Sequence, residues 1–523
     1  MKSLTVFFFT IFNLDIAFAQ HTNIMIGNTN SPEEPSIMLN PKNPRYIVAG
    51  ANIRSSYYSS DTGRTWTGYQ LSNPVYGVYG DPTIICDTSG DFYFFHLSDP
   101  PGSAFIDQIV CQKSVSNGES WNTGTGIGLN GTKAQDKQWA VVDPRNNNIY
   151  LTWTQFDKYG STLPTDSSHI LFSRSTDGGT TWSPAKRINE KGGDCIDDDN
   201  TVEGAVPAVG PNGEIYVTWA GPLGLVFDKS TDGGNTWMDN DKIIAPIPGG
   251  WSYSIPGISR ANGLPVTVCD LSNGTNRGTT YVNWSDQRNG GFDTDIWLTK
   301  SIDGGITWST PIKVNNDAAG KQQFLTWMTI DQSNGYLYFV FYDRRNYNDN
   351  QTDVYMARSK DGGASFQNFK ISASPFAPVS SVFFGDYSNI TAHKDIIRPV
   401  WTRMDNGTLS VWTALTDTSL IPGAVVTSVI NPDLNVEYIR SYPNPFTNNS
   451  YLSFKMRRAG IVTVQLFDIT GRLTSTPIEK RFYTTGKYTE HIDIGKLNLL
   501  AGIYFYRIMI NDKLYTQRII LLE

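Results

Sequence analysis

The sequence predicts an all-β chain: repeated four-stranded sheets, followed by a small and separate β-sandwich. Three observations predict it. An octapeptide recurs six times between residues 59 and 366. Short β-rich runs, punctuated by turn residues, surround each copy. Both patterns stop after Leu420, where a block of opposite charge begins.

The chain opens MKSLTVFFFTIFNLDIAFAQ. Lys2 supplies a positive end, Leu4–Leu14 a short apolar run, and Ala17-Phe18-Ala19 a small-x-small cleavage site before Gln20. Residues 1–19 therefore read as a secretory signal peptide. The run is too short to span a bilayer, so the mature chain is expected to be exported without a transmembrane segment. Cys86, Cys111, Cys195 and Cys269 would then meet an oxidising compartment. Their three pairings, and free buried thiols, all stay open.

The repeat comes next. STDGGTTW at 175–182 and STDGGNTW at 230–237 have looser copies in SSDTGRTW (59–66), SVSNGESW (114–121), SIDGGITW (301–308) and SKDGGASF (359–366). Around the third-blade copy run KQWAVVDP, NIYLTWTQ, HILFSRSTDGGTTW and PAKRIN. The fourth unit repeats them as AVPAVGPNG, EIYVTWAG, LVFDKSTDGGNTW and KIIAPI. A repeat of about 40–50 residues holding four short strands means propeller blades. The octapeptide falls between the third and fourth strands. Asp177 can accept hydrogen bonds from the turn's own N–H groups, Gly178 or Gly179 can supply a positive φ, and Trp182 can pack between sheets. The octapeptide thus builds architecture.

Seven blades are counted, six of them with the octapeptide. The seventh (FFGDYSNITA, IIRPVWTRM, LSVWTAL) lacks it and lacks a fourth strand, which TNIMIG at 22–27 can supply. An open ring would leave unpaired edges. The pattern S-x-D-x-G-x-T-W resembles the Asp-box, or BNR repeat, of sialidases and other β-propellers. The resemblance implies an Asp-box propeller over residues 20–430. Sialidases have six blades, so six is the alternative to the seven preferred here.

The last block differs. From Arg440 onward there are 12 Lys/Arg against 6 Asp/Glu, leaving 30 against 43 in the rest. The acidic larger part argues against a nucleic-acid partner. SYPNPF at 441–446, the FDITGR hairpin and LLAGIYFYRI resemble the C-terminal sorting domain of type IX secretion, over roughly 437–523. That implies the type IX machinery as a partner and a destination outside the cell or on its surface. An ordinary carbohydrate-binding sandwich is the alternative.

Chemistry is expected at the blade ends opposite the octapeptide turns. Loops entering the first strands carry Glu34, Asp81, Asp136, Glu203 and Asp386, accompanied by Trp139, Trp251, Trp327 and Tyr387. Second-to-third loops carry Arg288, Arg344, Arg345 and Arg403. Paired carboxylates can cleave a glycosidic bond, with a Tyr nucleophile in sialidases. Forked arginines hold a carboxylate at two points. The resemblance to sialidases implies Tyr387 as nucleophile, Glu203 its base, and Asp81 or Asp136 the acid, with Arg288, Arg344, Arg403, Trp139 and Trp327 binding substrate. Against it, EEPSIML puts Glu34 where the family's first-blade arginine belongs. The repeated D-x-R can equally be a loop brace, and the acids solvated turn caps. DCIDDDNTVE crowds Asp194, Asp197, Asp198 and Asp199 against Glu203. Asp194, Asp197 and Asp199 are the calcium ligands such crowding suits, a solvated acidic loop being the alternative. No cofactor is required otherwise. The expected function is a sialidase-like glycoside hydrolase acting on exposed glycans, terminal sialic acid among them. The alternative is a non-catalytic propeller binding glycans or proteins at the cell surface.

Overall fold

The computed structural model describes residues 21–102, 105–418, 436–444, 446–447, 449–469, 471–493, 499–511 and 513–522; the expected signal peptide lies outside them. Every regular element among the described residues is a β-strand. The chain divides into two compact units, Met1–Val425 and Val426–Glu523.

The first unit holds seven four-stranded antiparallel sheets. Their first strands are Ser36–Leu39, Thr83–Cys86, Ala134–Val142, Glu203–Val209, Val266–Cys269, Gln323–Asp331 and Asn389–His393. Each lies beside the first strand of the next sheet, and the seventh lies beside the first. The N-terminal run Thr22–Gly27 pairs antiparallel with Thr408–Leu415, so it is the fourth strand of the seventh sheet. Second strands such as Ile149–Phe156, Ile215–Gly221 and Thr280–Asp286 are buried along their whole length. Sheets cover both their faces, so polar members such as Thr152, Thr218 and Asn283 are buried with the apolar ones. A two-stranded hairpin, Ser252–Tyr253 with Ala261–Asn262, is inserted before the fifth sheet.

The octapeptide turns lie at one end of the sheets. Ser175 Oγ donates to Asp177 Oδ1 at 2.8 Å, and Asp177 Oδ1 accepts the Thr181 N–H at 2.9 Å. Gly178 and Gly179 have φ of 69° and 78°. The Thr181 hydroxyl and these N–H groups bring Asp177 down to about 2. Trp182, Trp237 and Trp308 each pack edge-on against a phenylalanine of the preceding sheet: Phe95, Phe172 and Phe227. The loops entering first strands, and those joining second to third strands, are therefore at the opposite end, here the loop end.

The second unit pairs a three-stranded sheet (Val436–Tyr442, Asn449–Met456, Gly486–Asp493) with a four-stranded one containing Gly460–Asp468 and Gly502–Ile510. Leu452, Phe454, Val462, Val464, Tyr506 and Ile508 form one core between them. All four cysteines are free and buried.

Candidate functional site

Where the first strands meet at the loop end, acids from five sheets converge on a lysine that sequence reasoning did not single out. Lys137 Nζ lies 2.9 Å from Asp386 Oδ2, 3.1 Å from Asp81 Oδ2 and 3.7 Å from Glu34 Oε1. All four residues are buried. The third sheet's first strand changes register between Asp136 and Trp139. Such a bulge re-aims a side chain, commonly beside a site. Lys137 there has φ +50°. The fourth and sixth sheets shift register at the same place, between Glu203 and Val206 and between Phe324 and Trp327. Glu34, Asp81 and Leu325 are also left-handed, with φ of 52°, 51° and 48°. Such backbone persists only where its surroundings over-determine it.

A second cation, Arg260, reaches in from the inserted hairpin. Its Nε donates to Asp386 Oδ1 at 2.9 Å, Nη2 to Asp386 Oδ2, and Nη1 to Asp197 Oδ2 at 2.8 Å. Asn52 links the acids. It donates to Glu34 Oε2 and accepts the Asp81 N–H at 2.6 Å, while Glu34 Oε1 accepts the Asp386 N–H at 3.0 Å.

Glu203 stands apart. It is fully buried, and neither carboxyl oxygen has a hydrogen-bond partner among the described residues. Burial, then Asp197 and Asp136, push its carboxyl well above the usual range. Burial lifts Asp136 to about 7 despite Lys137, and burial with Asp81 lifts Glu33 to about 8. Burial opposes the ionised Asp386 too, but Lys137 and Arg260 win and hold it well below the usual range.

Trp139, Trp327 and Tyr387 pack together, with ring centroids 4.2 Å apart for the two tryptophans and 5.0 Å from Trp139 to Tyr387. The cavity they line with Lys137 and Asp386 measures about 20 Å³, room for about one water. Burial and the carboxylates Asp81 and Glu34 raise the Tyr387 phenol well above its usual range, the wrong direction for an activated nucleophile. No hydrogen bond joins it to Glu203, whose oxygens are unpartnered. The expected Tyr387–Glu203 pairing is thus not formed.

The expected arginines are committed elsewhere. Arg288 grips Asp286 with Nη2–Oδ2 at 2.6 Å and stacks on Trp297 at 4.1 Å. Arg345 grips Asp343 at 2.6 Å, and Arg403 grips Asp405 through Nε and Nη2 at 2.6 and 2.8 Å. Arg344 is buried, bonded to Thr352 and the Pro256 carbonyl. These are loop braces, not a carboxylate clamp. The acidic loop likewise faces three ways. Asp194 accepts from Thr201, Asp197 holds Arg260, and Asp199 accepts the Ser252 N–H. Among the described residues no three His, Cys, Asp or Glu are placed to hold a metal ion, and in this arrangement the three acids brace the loop.

Exposed aromatics mark the same end. Tyr79, Phe105, Tyr159, Phe292 and Phe383 are the exposed Tyr and Phe of the first unit's described residues. Tyr79 and Phe383 lie in loops entering first strands; Phe105, Tyr159 and Phe292 lie in second-to-third loops. None lies at the octapeptide end.

No curated protein matches the chain. Among solved structures, the Hadza microbial sialidase Hz136 is 13% identical with TM-score 0.40, covering 71% of this chain and 73% of that one. The NanB sialidase from Streptococcus pneumoniae is 10% identical with TM-score 0.43, covering 76% and 95%. A PL25 ulvan lyase is 13% identical with TM-score 0.46, covering 76% and 96%. Likenesses this distant carry no argument about the site. Residues 440–522 match the family described as the secretion system C-terminal sorting domain. The chain thus ends in a sorting domain of type IX secretion and is exported, to the cell surface or beyond it.

Proposed function

We propose that the first unit is a seven-bladed β-propeller whose loop end binds exposed glycans, and that the acids at its centre hold the blades together. The cycle of neighbouring first strands supports the blade count, since each sheet then covers the next. The observation that carries the glycan reading is the confinement of all five exposed aromatics to the loop end. Tyr79 and Phe105 form a pair, Tyr159 packs edge-on against Phe156 and Arg260 lies over Phe383, with exposed Val75, Leu163 and Val379 in the same loops. A contiguous apolar patch would suit a protein partner better; separate ring faces flanked by hydrogen-bonding groups suit sugars. The finer expectation, sialic acid, finds Arg288, Arg345 and Arg403 each paired with a loop aspartate, whereas Arg344 is held by Thr352 and the Pro256 carbonyl with its buried Nη2 unpartnered.

A second reading rests on Glu203. A carboxyl that burial keeps protonated beside Asp197 and Asp136 is what a general acid requires, so a glycosidase opening at this point is the competing function.

One experiment separates them. The secreted chain is run against a glycan array and against aryl glycosides that include a fluorogenic sialoside. The expected result is glycan binding that weakens about two- to tenfold in Phe292→Ala or Tyr159→Ala, as lost stacking of roughly 0.5–1.5 kcal/mol predicts, with no turnover. Turnover abolished by Glu203→Gln would establish the hydrolase instead. Turnover abolished by Tyr387→Phe would restore the sialidase mechanism. Binding unaffected by either aromatic substitution would end the loop-end proposal.

A further inference from the structure

A cleft of about 580 Å³ lies between the second and third sheets, within the size range of ligand sites. Local sequence opens it. The third sheet's fourth strand is only Lys186–Arg187, preceded by Ser183-Pro184, and a proline cannot extend the ladder. Its wall includes the buried Ile127 and Leu171 and the half-buried indole of Trp182, while Asn130, Lys133, His169 and Arg187 line it with polar groups. No Asp or Glu lines the cleft, although acids outnumber bases 43 to 30 before Arg440.

We propose that this cleft binds a sugar unit carrying a carboxylate or a sulfate. It uses none of the five exposed loop-end aromatics and is independent of them. Arg187 is held in place by donating Nε to the Asn189 carbonyl at 2.7 Å and Nη2 to the Glu190 carbonyl. Its Nη1 is left for a ligand, and a guanidinium whose fork is already ordered loses little entropy on binding an oxyanion. Lys133 is oriented by Asp157 at 2.7 Å, and an ammonium has two further N–H donors. Trp182, fixed by its Nε1–H to the Gly179 carbonyl at 3.2 Å, offers an apolar face beside these donors. Cationic donors beside a fixed ring match a charged pyranose better than a bare anion or a neutral sugar.

The test is calorimetric titration of the full secreted chain with methyl glucuronide, methyl galactoside 6-sulfate, neutral methyl glucoside and inorganic sulfate. At least one charged glycoside is expected to bind about tenfold more tightly than the neutral one and than inorganic sulfate. Which of the two binds identifies the anion. Lys133→Ala, at a half-buried position, and Arg187→Glu, at an exposed one, are each expected to weaken that binding about tenfold while the protein stays folded. If one variant misfolds, the other still decides. Equal affinity for charged and neutral glycosides overturns the proposal. So does sulfate binding as tightly as the sulfated sugar, an adventitious ion only. Unchanged affinity in a folded variant overturns it too.

Discussion

Lys137 meets Glu34, Asp81 and Asp386 in a place its backbone had to be turned to reach. Burial alone would strip its proton, but the three carboxylates hold it charged, well above the usual lysine range. Removing the ammonium leaves buried acids facing one another, and breaking such a network from one side typically costs about 3–5 kcal/mol. Lys137→Met is therefore expected to lower the urea midpoint sharply with an unchanged slope, whereas Arg403→Met should lower it less, because the partner it leaves, Asp405, is exposed. The acids were legible from the sequence because the repeat places each at the start of a first strand. Lys137 was not. In an unbroken strand its side chain would face opposite to Asp136, and the bulge that turns it inward forms only when neighbouring first strands pack. Arg260 was hidden for another reason: its hairpin lies outside the repeat and has no counterpart in other units.

At the scale of the element, the octapeptide turn is the most legible part of the chain because its hydrogen bonds close within seven residues. Asp232 repeats the pattern of Asp177, accepting the Thr236 N–H at 2.8 Å and its hydroxyl at 2.6 Å. What the turn packs against is less local. Gly234 has φ of 89°, and a Cβ there would run into the Phe172 ring of the preceding sheet. Gly234→Ala thus adds left-handed strain to an inter-sheet clash, and a loss of about 2–3 kcal/mol is expected. Gly320→Ala is the control: φ is similar at 92°, but no atom lies within 4 Å of the added methyl, so its cost should be limited to the backbone share, about 1 kcal/mol. Comparing their thermal midpoints isolates the packing contribution. Equal midpoints would mean that the Trp237–Phe172 contact can yield. The D-x-R loops show the limit of motif reading, since Arg288 and Arg345 have the spacing of a brace and of a clamp alike, and only the observed Asp286 and Asp343 contacts decide between them.

Over the whole first unit, the charge at the centre sets how stability depends on pH. Among the described residues, Glu33, Glu34, Asp81, Asp136, Asp197, Glu203 and Asp386 surround the two cations Lys137 and Arg260. Two cations cannot neutralise seven acids, so burial keeps several of them protonated. A carboxyl raised in the folded state keeps a proton that the unfolded chain releases above about pH 4. Its stabilisation is complete below that pH and is lost as pH rises through the folded value, about 7 for Asp136 and about 8 for Glu33. Glu203 and Glu34 act in the same direction. Asp386, Asp177 and Asp232 are depressed and act oppositely, losing their contribution as pH falls below about 4. Together they place maximum stability in mildly acidic solution, with the thermal midpoint declining from about pH 5 to about pH 8. Glu203→Gln keeps the shape and removes one titrating proton, so it should be close to wild type at pH 5 and more stable than wild type at pH 8. A wild-type midpoint that holds level across this range, with no gain in Glu203→Gln, would mean that these carboxyls are already ionised in the folded protein and that a counter-charge other than Lys137 and Arg260 reaches the centre.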